Sequence, residues 1–297
     1  MSWQAKIVKI LLPHLFSGWS DGTIEEQRAK QERTARFARA PADIRYQPVD
    51  ADGVPAEWIE APEPDVGAIL YLHGGAYALG SIDTHREFAA RLVRSTNKRS
   101  LVINYRLAPE HPHPAALEDA ITTYRWLLTQ GFDPSQIILA GDSAGGGLAL
   151  AMLLALRDPG EPLPAGAVCI SPWTDLALTG ASMRSKAKID HILDPNSLEM
   201  YARYYTGKDE VTSPLISPLY ADLMGLPPLL IQVGSDEILL DDATRLAEQA
   251  REAGVDVTLE IWDEMFHVFQ LVSFLPETQK AVKHITDFAA KNLKLRD

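Results

Sequence analysis

The chain has 297 residues, 46% of them hydrophobic, a formal net charge of −12 and a single cysteine. Its length and composition suffice to bury a large core. The acidic balance argues against nucleic acid or an anionic membrane surface as a partner, since both need clustered Lys and Arg, and one cysteine excludes an internal disulfide. In chain order, the first predicted element is a helix with Trp3, Ile7, Ile10, Leu11 and Leu15 at helical spacing, an apolar face that should cover something. Lys9 and Pro13 interrupt this apolar run and no small-residue cleavage site is met before Ser17-Gly18-Trp19, so a cytoplasmic protein is expected. No stretch approaches the roughly 20 apolar residues of a membrane span.

Thr23-Ile24-Glu25-Glu26 has the form of a capping box and opens a polar helix expected to run to about Arg39. Ile44 to Val49 and Ala56 to Glu60 then alternate as half-exposed strands around the turn Asp50-Ala51-Asp52-Gly53, which predicts an antiparallel pair. Further strands are expected at Ala68 to Leu72, Leu101 to Asn104, Ile137 to Ala140, Ala167 to Ile170, Leu229 to Val233 and Val255 to Trp262. Helices are expected near Thr84 to Ser95, Ala115 to Thr129, Ala144 to Leu156, Asp242 to Ala253 and Thr278 to Leu293. Continuous apolar strands alternating with helices predict an α/β fold, a mostly parallel sheet of about eight strands flanked by helices. Cys169 lies in one of those strands and reads as a small buried hydrophobe. No strand is evident from Trp173 to Pro227, where Pro195 to Tyr205 is helical. We read residues 1–42 as N-terminal cap helices and 43–297 as the catalytic domain, with a cap insertion at about 178–226.

Gly141-Asp142-Ser143-Ala144-Gly145 is a GxSxG pentapeptide between an apolar strand and an apolar helix, the setting of a nucleophile elbow. A serine hydroxyl is a weak nucleophile near neutral pH, so acyl transfer needs a histidine to take its proton and a carboxylate to orient that histidine. In such a sheet the partners follow in the order acid, then His, in loops beyond later strands. Asp236 stands in the turn just past Leu229 to Val233 and is taken as the acid, with Glu237, Asp241 and Asp242 as competitors; the last two suit the start of the next helix. His267 lies beyond the last strand and is taken as the base. His73-Gly74-Gly75-Ala76-Tyr77 follows a strand, and its two glycines let backbone amides approach a ligand; with Ala144, Gly74 and Gly75 would form an oxyanion hole.

Together with Asn104-Tyr105-Arg106-Leu107-Ala108-Pro109-Glu110, these motifs resemble the hormone-sensitive-lipase family of α/β-hydrolases over nearly the whole stretch from Ala68 to His267. The resemblance implies an α/β-hydrolase fold with a helical cap, and a serine carboxylesterase acting on short- to medium-chain acyl esters through a covalent acyl-serine. It implies Ser143 as nucleophile, His267 as base, Asp236 as orienting acid and Gly74, Gly75 and Ala144 as oxyanion donors, with no metal or organic cofactor. Two departures stand out: Ala76 replaces the third glycine of the frequent HGGG, and Glu237-Ile238 follows Asp236 where DPL is usual. Asp142 is expected to fix the elbow, and Arg106 and Glu110 to be structural. Related esterases often pair through the last strand, which allows a homodimer. The same machinery also serves lactones, amides and thioesters, and a ligand-binding protein can keep the fold without catalysis.

Overall fold

A computed structural model describes residues 1–15, 20–35 and 41–294. Two helices come first, α1 (Trp3–Leu15) and α2 (Ile24–Ala35). The end of the polar helix expected to reach Arg39, like Ser17-Gly18-Trp19, falls outside the described residues. The strands are β1 (Arg45–Asp50), β2 (Pro55–Glu60), β3 (Asp65–Leu72), β4 (Lys98–Ile103), β5 (Ile137–Asp142), β6 (Gly166–Ile170), β7 (Leu229–Gly234) and β8 (Val257–Trp262). Between and after them lie α3 (Ile82–Thr96), α4 (Ala115–Thr129), α5 (Ala144–Arg157), the short α6 (Ser182–Ser185), α7 (Pro195–Thr206), α8 (Leu240–Glu252) and α9 (Pro276–Asn292).

The eight strands form one sheet in the order β1-β2-β4-β3-β5-β6-β7-β8. β1 and β2 pair antiparallel and β2 joins β4 antiparallel, while the rest is parallel. The alternation along the parallel strands sends Leu70, Leu72, Leu101 and Leu139 to the face covered by α4, α5 and α8, and Ile69, Tyr71, Val102 and Ile138 to the face covered by α3 and α9. Each fully buried Leu or Ile stabilises by about 1.5–3 kcal/mol, so this two-sided burial holds the sheet. Cys169 is buried in β6, and burial pushes its thiol up to about 12, in keeping with a packed hydrophobe.

The strand order reverses between β3 and β5, because the chain leaves β3 for β4 on one side and returns to β5 on the other. In open α/β sheets the crevice beyond the carboxyl ends at such a point is where ligands bind. The loop after β3 and the elbow after β5 are brought together there, with Leu72 opposite Gly141. At the other end of the parallel run Gly234 stands opposite Trp262, which sets the turn after β7 beside the loop after β8.

The apolar face expected of the first helix is not the one that α1 buries. Ala5 and Leu12 pack with Met265, Phe266 and Phe269, whereas Trp3, Ile7, Ile10, Leu11 and Leu15 are 46–72% exposed. The side that docks carries Ala5, Lys9 and Leu12, a small residue and a charge beside one leucine, so the apolar pattern pointed to the opposite face. α2 is fastened by Arg28, which donates to the Ala78 and Ala108 carbonyls and to both Glu110 carboxylate oxygens, the last at 2.7 and 2.8 Å. Gln27 accepts from the Tyr201 hydroxyl of α7 at 2.7 Å. α7 itself starts on Asp194, whose carboxylate caps the Asn196 and Ser197 amides ahead of Pro195 at the first turn. Among the described residues, no helix is long and apolar enough to cross a membrane.

Candidate active site

Ser143 ends β5 and precedes α5 with φ 53° and ψ −121°, a left-handed conformation that a non-glycine residue holds only when its surroundings fix it. Its amide donates to the Ile170 carbonyl of the neighbouring strand at 2.8 Å, and the turn then lifts the hydroxyl toward the cavity. Gly145 makes this approach feasible: a Cβ there would stand 2.0 Å from the Leu72 carbonyl oxygen. The Ser143 Oγ lies 3.0 Å from His267 Nε2.

The other ring nitrogen of His267 meets Glu237, at 2.8 Å from Nδ1 to Oε2. Glu237 is fully buried, and its second oxygen accepts from the Ser171 hydroxyl at 2.7 Å and the Gly234 amide at 2.5 Å. The expectation that Asp236 would orient His267 is therefore corrected. The Asp236 amide is tied to the Met265 carbonyl at 3.1 Å, and its side chain ion-pairs with Lys9 of α1, with Lys186 3.8 Å away. The next residue turns inward, where Glu237 begins the buried run continued by Ile238 and Leu239. Asp241 and Asp242 cap other amides, those of Ser182 and of Thr174 and Asp175.

Burial pulls the His267 pKa down, but the hydrogen bond and charge of Glu237, followed by the charges of Asp190 and Asp142, outweigh it and the net shift is upward. Asp190 lines the same cavity, accepting from the Ile192 and Leu193 amides and from Ile238, each at 3.0 Å. Neither Asp190 nor Ser171 carried a sequence signal, because nothing local marks them.

The loop after β3 is built around Asp142. That carboxylate accepts from the Tyr71 hydroxyl at 2.7 Å and the Gly74 amide at 3.0 Å, with His85 Nε2 3.4 Å away. Burial alone would raise its pKa; the charge and hydrogen bond of His85 and the Tyr71 hydroxyl lower it overall. Gly74, expected as an oxyanion donor, thus has its amide committed to Asp142, which corrects that assignment and explains how Asp142 locks loop to elbow. Among the described residues, the amides of Gly75, Ala76 and Ala144 have no hydrogen-bond partner. Gly75 has φ 121°, and a Cβ on it would lie 2.2 Å from the Leu79 carbonyl oxygen. His73 stacks on Tyr105 at 4.2 Å, and burial, aided by the nearby His85, drives its pKa to about 3. The Tyr105 hydroxyl holds the His73 carbonyl at 2.7 Å, while Arg106 pairs with Asp119, so this stretch buttresses the loop.

Above these groups is a cavity of about 540 Å³, within the range of small-molecule sites. Its floor holds Gly75, Ser143 and His267; its walls include Leu12 of α1, Gln31 of α2, and Leu193 and Leu198 from the segment between β6 and β7. No group of three or more His, Cys, Asp or Glu among the described residues is arranged to hold a metal.

A family model described as alpha/beta hydrolase fold matches residues 69–271. An acetyl-hydrolase of Streptomyces hygroscopicus is 46% identical over 268 residues, covering 89% of this chain and 88% of its own length. An esterase of Acinetobacter venetianus is 40% identical over 248 residues, 83% of this chain and 82% of its own. Among solved structures, an esterase from the bacterial hormone-sensitive lipase family superposes with a TM-score of 0.94 at 44% identity, covering 99% of both chains. EstE5 soaked with p-nitrophenyl butyrate does so with a TM-score of 0.93 at 42% identity and 99% coverage of both.

Proposed function

The chain belongs to the hormone-sensitive-lipase family of α/β-hydrolases, and on that premise we propose that Ser143, His267 and Glu237 hydrolyse carboxylic esters through a covalent acyl-serine. The observation that carries this reading is the continuous chain of contacts from Ser143 Oγ to His267 Nε2 and from His267 Nδ1 to Glu237. Ser143 attacks the ester carbonyl as its proton passes to His267 Nε2, and the negative charge on the carbonyl oxygen falls to the free amides of Gly75 and Ala144, with that of Ala76 alongside. One such donor is commonly worth about 3–4 kcal/mol at the transition state. Glu237 keeps the proton on Nδ1 and balances the imidazolium. His267 then returns its proton to the leaving alcohol. A water molecule, deprotonated by the same Nε2, attacks the acyl carbon, and the carboxylic acid leaves as Ser143 regains its proton.

In this reading the N-terminal helices within residues 1–42 and the insertion at about 178–226 are the cap, supported by their place in the cavity wall. The mainly apolar cavity of about 540 Å³ favours short- to medium-chain acyl groups. A p-nitrophenyl ester series from acetate to laurate tests it: turnover highest at the short end is expected, and no turnover of any member contradicts it. We assign the protein to the cytoplasm, in line with its one buried thiol, and take the outer edge of β8, with half-exposed Ile261, as the surface for a homodimer.

The titration of His267 gives a second expected result. Only its neutral form accepts the serine proton, so kcat/KM falls as pH drops through the His267 pKa. Because that pKa is raised, the acid limb should be centred above the ordinary imidazole value of about 6.5. Removing the Glu237 charge should move the limb to lower pH, as a pH profile of kcat/KM in the Glu237→Gln variant would register.

A further inference from the structure

The turn that carries Glu237 holds both pieces of the cap, and it does so through the residue before it. Asp236 pairs with Lys9 of α1, and Lys186 of the insertion is within 3.8 Å of its other oxygen. Lys9 also donates to the Glu264 carbonyl at 3.3 Å, on the loop that leads to His267. The turn and that loop are stitched together already: the Ser235 amide meets the Trp262 carbonyl at 2.9 Å, and the Glu264 amide meets the Ser235 hydroxyl at 2.8 Å. One turn beyond Lys9, Leu12 enters the cavity wall. Four residues beyond Lys186, Asp190 accepts the Ile238 amide and faces the same cavity.

We propose that Asp236 is a positioning residue for ester binding: a single carboxylate that latches the N-terminal helix and the insertion onto the catalytic loops and so closes the acyl cavity. This rests on the triad reading above, in which Glu237 is the acid. Two ammonium groups converge on Asp236, so neutralising it removes a pairing and also leaves Lys9 and Lys186 facing each other as like charges. The pairs are partly exposed, with side chains 14–25% accessible, so salt should loosen the latch.

The test is steady-state hydrolysis of p-nitrophenyl butyrate by wild type, Asp236→Asn, Asp236→Glu, Lys9→Met/Lys186→Met and the triple variant carrying Asp236→Asn. Asp236→Asn is expected to raise KM by roughly three- to tenfold with kcat within about twofold. Asp236→Glu should restore KM, and the triple variant should bind better than Asp236→Asn alone because the repulsion is gone. Wild-type KM should rise with ionic strength more steeply than that of the double lysine variant. An unchanged KM in Asp236→Asn overturns the latch, as does a triple variant no better than Asp236→Asn. Should Asp236→Asn fail to fold, the double lysine variant decides, since its KM must then exceed that of wild type. A collapse of kcat in Asp236→Asn to the level of Glu237→Gln also overturns the latch, and in that case overturns Glu237 as the acid as well.

Discussion

Replacing Ser143 by alanine is expected to lower kcat for a p-nitrophenyl ester by about 10⁴-fold or more, with KM little changed. The hydroxyl is the group that forms the acyl bond, and His267 Nε2, 3.0 Å from it, is placed to take its proton. What survives in such variants elsewhere is the rate owed to the oxyanion hole and to binding, about 10³–10⁴ above the uncatalysed reaction. The fold should tolerate the change in volume. The special requirement at this position is backbone strain at φ 53°, which alanine meets no worse than serine. Thermal unfolding close to that of wild type, together with lost turnover, is the pattern expected.

Glu237→Gln is expected to lower kcat by about 10³–10⁴-fold. Its amide can donate to His267 Nδ1 and so favour the wrong tautomer, and it cannot balance the imidazolium that forms as Ser143 attacks. The buried position increases the effect, since the carboxylate already accepts the Ser171 hydroxyl and the Gly234 amide on its other oxygen. Asp236→Asn should retain kcat, because its carboxylate faces Lys9 and not the imidazole. The two adjacent carboxylates thus separate cleanly, one governing chemistry and the other substrate binding.

This pair also marks where sequence reasoning reached its limit. The sheet was legible because parallel strands buried on both faces must be continuously apolar, as Leu70 to Leu72 and Ile137 to Ala140 are. The elbow was legible because a GxSxG pentapeptide between an apolar strand and an apolar helix is a local pattern, even though Gly145 answers to the Leu72 carbonyl of β3. The acid was legible only to within one residue. Which side chain of Asp236 and Glu237 turns inward is set by the Asp236 amide bonding to Met265 and by Lys9, 227 positions earlier in the chain. Gly74 failed as a donor for a similar reason, since its amide is captured by Asp142 from another strand. The outward apolar face of α1 was misread because the side that docks carries Ala5 and Leu12, packed with Met265 and Phe266, around the charged Lys9.

The most direct test of the triad is the rate and site of phosphonylation by a fluorophosphonate, followed by intact mass and peptide mapping in wild type, Glu237→Gln and Asp236→Asn. One adduct is expected, on Ser143, formed rapidly by wild type and Asp236→Asn and far more slowly by Glu237→Gln. Absence of an adduct on Ser143, or slow labelling of Asp236→Asn with Glu237→Gln unimpaired, would contradict it.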